Sequence, residues 1–422
     1  MSRRSIFAGI VGLTLAAPFT ISGAGNDTAG AREVTFSKDV APVVFQNCAY
    51  CHRPGEVAPF SLLSYKDARP WARAIRLKVT DRQMPPWFAD SHFGRFENEK
   101  RLTDAQIKTI QDWVDGGAKE GNVADLPPAP QFADGWQIGT PDMIVTMVEP
   151  VKLPATGTVP YATYKTDYVF TEDRWVQAVE VRPGNRGVVH HAIASLEGQL
   201  GGPNMLHLYS PGVEAMIWKD GYGKFIPKGS RIVLQMHYNA NGKETMDQTK
   251  VGLVFAKKPV HTPVRLEWVM NNMFEIPAMV QNHEIIAAYQ LPVDARIHAL
   301  RPHMHVRGKN ATATLIYPDG TRKIMLSVPK WDDGWQYYYD LAEPLVAPKG
   351  SWIEYVANYD NSPANPLNPD PKVAVRFGQQ VWEEMHLLYV NWTEITDKNR
   401  DDAGPIHITP SKAFTTGIVA SR

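Results

Sequence analysis

The chain of 422 residues has only two cysteines, Cys48 and Cys51, and they lie three positions apart in Cys48-Ala49-Tyr50-Cys51-His52. That scarcity leaves no thiols for structural disulfides elsewhere and none for a cysteine-ligated blue-copper centre. Charge of one sign is missing too: 44 acidic side chains balance 44 basic ones, so nothing draws the chain generally to nucleic acid or to an anionic membrane. Long hydrophobic runs are lacking. Ile6 to Ala17 is an apolar run well short of the ~20 residues of a spanning helix, and it follows Arg3 and Arg4, which reads as an export signal. Cleavage is expected at Ser22-Gly23-Ala24 (residues 1–24), with Ala29-Gly30-Ala31 second, giving a periplasmic or otherwise exported protein with no stable membrane span. Low-complexity segments and exact repeats are also lacking.

What is present is ordinary globular composition, 44% hydrophobic and 21% charged, over a length that suits two or three domains. Residues 33–122 read as helical. Ser37 can cap a helix carrying Val40, Val43 and Val44, and Thr103 with Gln106 forms a capping box ahead of Ile107, Ile110, Trp113 and Val114. Gly116-Gly117 stops that helix. A proline-rich linker, 123–136, follows. From there to about 415 the pattern is short strands: Trp175 to Val181, Val188 to Leu196, Arg231 to His237, Ala311 to Tyr317, Trp352 to Tyr359 and Met385 to Trp392. This length of strands exceeds one simple sandwich and predicts two β domains, 137–260 and 261–415.

A C-x-x-C-H attaches c-type haem, the thiols forming thioethers while the histidine ligates iron. Cys48, Cys51 and His52 are the expected attachment residues. Met84, in Gln83-Met84-Pro85-Pro86-Trp87, is the expected sixth ligand and His92 its alternative. The competing reading is a redox C-x-x-C with an incidental histidine, but no thioredoxin-like β-α-β pattern surrounds it. Residues 33–122 resemble a class I cytochrome c domain.

Three further segments carry imidazoles: His190-His191, His237 and His303-Met304-His305. In a strand, residues two apart share a face, so His303 and His305 can meet one ion. Adjacent His190 and His191 point to opposite faces unless a bulge intervenes. Taken singly, a histidine on a strand is more often structural than a ligand, and a methionine such as Met385 is more often core. Imidazole suits both copper oxidation states, and thioether favours the reduced one.

The ordered set Val188-Val189-His190-His191, Leu234-Gln235-Met236-His237-Tyr238, His303-Met304-His305 and Glu384-Met385 leading to Tyr389 resembles the copper type II, ascorbate-dependent monooxygenases. This is the family of peptidylglycine α-hydroxylating monooxygenase and dopamine β-monooxygenase, and the resemblance covers roughly residues 140–400. It implies two copper ions. His190, His191 and His237 would hold the electron-transfer copper, while His303, His305 and Met385 would hold the catalytic copper that meets O2. Arg301 and Tyr389 match residues that anchor a substrate carboxylate. The third anchoring residue, an asparagine, corresponds to Leu387, and the animal enzymes' disulfides are absent.

The expected fold class is therefore multidomain: an all-α cytochrome c domain followed by two all-β, antiparallel, jelly-roll-like copper sandwiches. The expected function is a monooxygenase hydroxylating a small-molecule or peptide-like organic substrate. Its electrons would come through the haem from an external donor such as a redox protein, a quinol-linked chain or an ascorbate-like reductant. The alternatives are a periplasmic haem and copper electron carrier without oxygenase activity, and a zinc or iron hydrolase or lyase. His207, His261, His283, His298, His386 and His407 read as structural or solvated.

Overall fold

Runs of β-branched and aromatic residues, punctuated by turn formers, become strands where the alternation places them. Trp175 to Val181 lies within the strand Arg174–Arg182, and the other core runs form Val189–Leu196, Arg231–Tyr238 and Trp352–Tyr359. The computed structural model describes residues 32–132, 135–198, 202–213 and 215–408. The export signal and its cleavage positions lie outside the described residues, as does the end of the second β segment beyond 408. Among the described residues no helix is long and apolar enough to cross a membrane.

Two four-stranded sheets carry the residues of interest. The first contains β1 (Ala162–Val169), β2 (Val189–Leu196), β3 (Met205–Tyr209) and β4 (Arg231–Tyr238), in the order β1-β4-β2-β3. The second contains β5 (Arg265–Met270), β6 (Ala295–His303), β7 (Tyr339–Ala347) and β8 (Leu387–Glu394), in the order β5-β8-β6-β7. Two further sheets, built around Arg174–Arg182 and around Trp352–Tyr359, contribute to the same cores. One core draws on Val145, Val179, Leu234 and Trp218, and the other on Ile297, Leu315, Tyr355 and Val390. Side chains of this size each contribute roughly 1.5–3 kcal/mol when fully buried.

The expected all-α domain is not there. The structure is mostly β, 37% strand against 12% helix, so the fold class is corrected to a predominantly β protein with short helices added. Among the described residues the α-helices are α1 (Ala41–Asn47), α2 (Tyr65–Ala68), α3 (Ala72–Thr80) and α4 (Asp104–Asp115), the longest 12 residues. They share a small core of Phe36, Val44, Leu62, Ile110 and Trp113. What denies the segment independence is the stretch between α3 and α4. Trp87, Ala89 and Phe96 belong to the second β core, with Trp87 set edge-on to Tyr339 at 4.9 Å. Backbone bonds join Asp90 to Ser327 and Glu97 to Asp340, and residues Val34–Arg422 form one compact unit. Four larger sheets lie inside that unit, gathered around the two cores. The cause is hydrophobic: the Trp87 and Phe96 rings pack against each other and against Tyr339, with Tyr337 also beside Trp87.

Local sequence signals within the helical segment are mixed in outcome. Thr103 and Gln106 make both bonds of the capping box, and Gly116 ends α4. Ser37 does not cap. It lies buried inside the turn Phe36–Val40, whose N-cap is Thr35.

Candidate metal centre

His190 and His191 could reach one ion only if the strand were irregular, and it is. Pairing of β2 with β4 runs Val189↔Tyr238 and then His191↔His237, so His190 is the extra residue of a bulge. The bulge turns both imidazoles toward His237. His190 Nδ1 lies 3.0 Å from His237 Nδ1, which is 3.3 Å from His191 Nε2, and the three ligand atoms lie within 4.8 Å of one another. With metal–nitrogen bonds of about 2.0–2.1 Å, ligand nitrogens around one ion sit about 3–4 Å apart. His237 Nδ1 carries at most one proton and can satisfy one neighbour, so a cation suits this cluster better than hydrogen bonds do.

His303 ends β6, and His305 follows just beyond it. Their rings are 5.3 Å apart. In each, Nδ1 is occupied: His303 Nδ1 lies 2.6 Å from Gln336 Oε1, and His305 Nδ1 lies 3.2 Å from the Glu383 carbonyl. A neutral imidazole that donates from Nδ1 presents a lone pair at Nε2. His305 Nε2 is buried without a partner, an orphan of the kind a metal would satisfy. The triad therefore fits a late first-row ion, and His303 and His305 add two imidazoles beside it, one with an unengaged Nε2.

Met385 is half-buried and lies two residues ahead of β8, whose Leu387 pairs with His303. The strand expected from Met385 begins at Leu387 instead, because the preceding residues are tied to Glu384. That carboxylate is fully buried and accepts the backbone N–H groups of His305, Met385 and Arg307. Burial pushes it up to about 8, against those donors. Gly308 permits the tight return after His305: a Cβ there would sit 2.7 Å from Trp331 Cδ1 and 2.9 Å from the Met304 Cβ.

The two histidine sets, expected as separate sites, adjoin. The His191 and His303 rings are 6.3 Å apart. Tyr161 stands among them, its ring 4.2 Å from that of His237, 5.3 Å from His191 and 6.4 Å from His305. Burial pulls the imidazoles down, His190 and His305 to about 4, His303 to about 3 and His237 to about 2, so all are neutral and able to ligate near pH 7. Sequence reasoning missed Tyr161 and Gln336. Neither belongs to a histidine motif, and no spacing rule links them to the ligands.

Arg301 and Tyr389 face each other across β6 and β8 and are buried at 0% and 2% exposure. Arg301 donates to the Leu208 carbonyl and to Ser210 Oγ and lies over the Tyr338 ring at 5.1 Å, while its Nε has no partner. The Tyr389 ring is 6.1 Å from that of His303.

In the C-x-x-C-H segment, Cys48 and Cys51 are not joined as a disulfide. Burial, with Cys51 adding, pushes the Cys48 thiol up to about 12. His52 Nδ1 lies 3.2 Å from the Phe60 carbonyl, which leaves Nε2 for an iron, so these residues fit a covalent haem. Met84 lines a small cavity with Val79, Arg82, Trp87 and Ile107, and none of Cys48, Cys51 or His52 borders it. His92 is exposed and paired with Asp90 at 2.6 Å.

No protein-family model matches the chain, and no curated protein matches it. Among solved structures, the major capsid protein P2 of bacteriophage PM2 is 9% identical with a TM-score of 0.26, over 61% of this chain and 99% of that one. The infectious bursal disease virus VP2 subviral particle gives 10% and 0.18, over 69% and 91%. Oxalate decarboxylase from Bacillus subtilis gives 9% and 0.14, over 64% and 79%. Likeness at these TM-scores assigns neither fold nor function.

Proposed function

We propose that the chain is an exported copper-dependent monooxygenase, a relative of the copper type II ascorbate-dependent enzymes. It would hydroxylate a small-molecule or peptide-like organic substrate with O2 while drawing electrons from an external donor through a covalently bound haem. The observation that carries this reading is the convergence of His190 Nδ1, His191 Nε2 and His237 Nδ1 beside a second pair, His303 and His305, whose Nδ1 atoms are already engaged.

When bound, two copper ions would supply one electron each and an open position for O2. The protein's part is to hold ligands and exclude water. Gln336 and the Glu383 carbonyl fix the tautomers of His303 and His305. Glu384 fixes the backbone of His305 and Met385 through their N–H groups. Met385 completes the oxygen site in this reading, and Arg301 with Tyr389 supplies a buried cation and phenol beside it.

The test is oxygen uptake by reduced, copper-loaded holoprotein across a panel of organic substrates, with product identified. Met385→Ala should abolish hydroxylation and leave the haem reducible. Normal turnover by that variant would overturn the assignment of the oxygen site. Copper and haem bound without oxygen consumption coupled to any product would leave an electron carrier.

A further inference from the structure

The loop bearing Cys51 and His52 is pinned to the first β core by groups the proposed chemistry does not use. Gln137 Nε2 donates to Tyr50 Oη at 2.6 Å, while the Gln137 backbone N–H donates to Glu180 at 2.6 Å and its Oε1 accepts from Ala215 at 3.1 Å. Glu56 accepts from Arg53 at 3.0 Å and pairs with Arg186 at 3.2 Å, the Glu56 and Arg186 side chains being only 13% and 15% exposed. Arg53 also stacks over the Phe132 ring at 4.0 Å.

The far side of this clamp is the histidine strand. Arg186 sits four residues before His190, in the turn that leads into the bulge, and its guanidinium lies over the Tyr209 ring at 5.9 Å. Tyr209, on β3, pairs with Ala192 of β2, the residue after His191. Burial pushes the Tyr209 phenol up, against the Arg186 guanidinium beside it. The C-x-x-C-H loop and the three-histidine cluster are thus bridged by one ion pair, one ring and one pair of hydrogen-bonded strands.

We propose that the Glu56–Arg186 pair, with Tyr50–Gln137 and Tyr209, is an internal clamp that fixes the C-x-x-C-H loop against the histidine strand and so sets the rate of electron delivery to the His190/His191/His237 cluster. The inference rests on the haem and copper reading above. One electron would move and no bond would break: bound haem iron would give up the electron that a copper held by the cluster would take, and an external reductant such as a quinol or redox protein would resupply the iron. Glu56, Arg186, Tyr50 and Gln137 are positioning residues.

The test follows the ferrous haem absorption band after a flash-generated one-electron reductant reaches oxidised, copper-loaded holoprotein under anaerobic conditions. The expected decay is first order, with a rate constant independent of protein concentration. Arg186→Glu should slow it by about tenfold, equivalent to about 1.4 kcal/mol of lost docking. The exchanged pair Glu56→Arg with Arg186→Glu should restore part of the rate, Arg53 losing its own Glu56 partner, and simple misfolding cannot give that outcome. Tyr50→Phe, which removes one hydroxyl, should slow it without altering the fold. A rate constant proportional to protein concentration, or no change in either Arg186→Glu or Tyr50→Phe, would overturn the clamp and leave the proposed activity standing. Protein that carries no haem band or no copper would sink the underlying reading and the clamp with it.

Discussion

Replacing Gln336 by leucine tests whether His303 is a ligand through Nε2. Gln336 is 2% exposed and makes two kinds of contact: Oε1 takes the His303 Nδ1 proton at 2.6 Å, and Nε2 donates to the Asp333 carbonyl and carboxylate at 3.1 Å each. Leucine fills similar volume, so the loss is polar. Removing an outer partner of a metal-bound imidazole weakens metal binding about 10–100-fold, or about 1.4–2.7 kcal/mol. The metal-free fold should also lose ~1–3 kcal/mol, because His303 Nδ1 is left without an acceptor. Asp333 limits the damage: burial already pushes it up to about 7, so it can shed its charge when the amide is removed. The assay is equilibrium competition for Cu(I) against a chromogenic chelator, resolving two sites per chain, with urea unfolding of metal-free protein alongside. One site should weaken by the stated factor and the three-histidine site should hold. Gln336→Glu keeps an acceptor and should retain most of the affinity. Equal weakening of both sites, or wild-type affinity at both in folded Gln336→Leu, would refute the reasoning.

His237→Ala removes the nitrogen shared by both short contacts of the triad, so metal analysis of copper-replete protein should fall from two coppers per chain to one; two remaining would exclude the triad as a site. Trp87→Ala should cost about 3–5 kcal/mol and shift the unfolding of helices and strands together, since the ring lies in the second β core. A helical transition that separates from the β transition would restore an independent helical domain. Stability of the metal-free protein should rise with pH between about 4 and 6.5. Buried His190, His303, His305 and His386, held down to about 4 or lower, stay neutral when folded and take protons when unfolded. The raised carboxyls of Asp333, Glu180 and Glu384 act oppositely but are outnumbered by the histidines. A urea midpoint that stays flat from pH 4.5 to 6.5 would contradict this.

The candidate ligands were legible because metal ligation needs particular atoms at particular spacings, and those survive in one dimension. The pairing of His303 with His305 is readable from their spacing, whereas the bulge that brings His190 and His191 together is seen only in the register of the folded strands. Strand positions such as Trp352–Tyr359 were legible for the same reason, as was the Thr103 capping box, because these are local preferences. Tyr161 and Gln336 were not, since each reaches the cluster across long sequence separations that no periodicity encodes.

The chain by itself determined which side chains offer donor atoms for copper and haem, and where several strands and the last helix fall. Only tertiary structure decided that the helical segment is no domain of its own. Helical spacing predicts which residues want burial but not what buries them, and Trp87 packs on Tyr337 and Tyr339, and Phe96 on Tyr339, partners far along the chain. Tertiary structure also decided that the two histidine sets adjoin, with the His191 and His303 rings 6.3 Å apart, because that depends on how one sheet is seated against another.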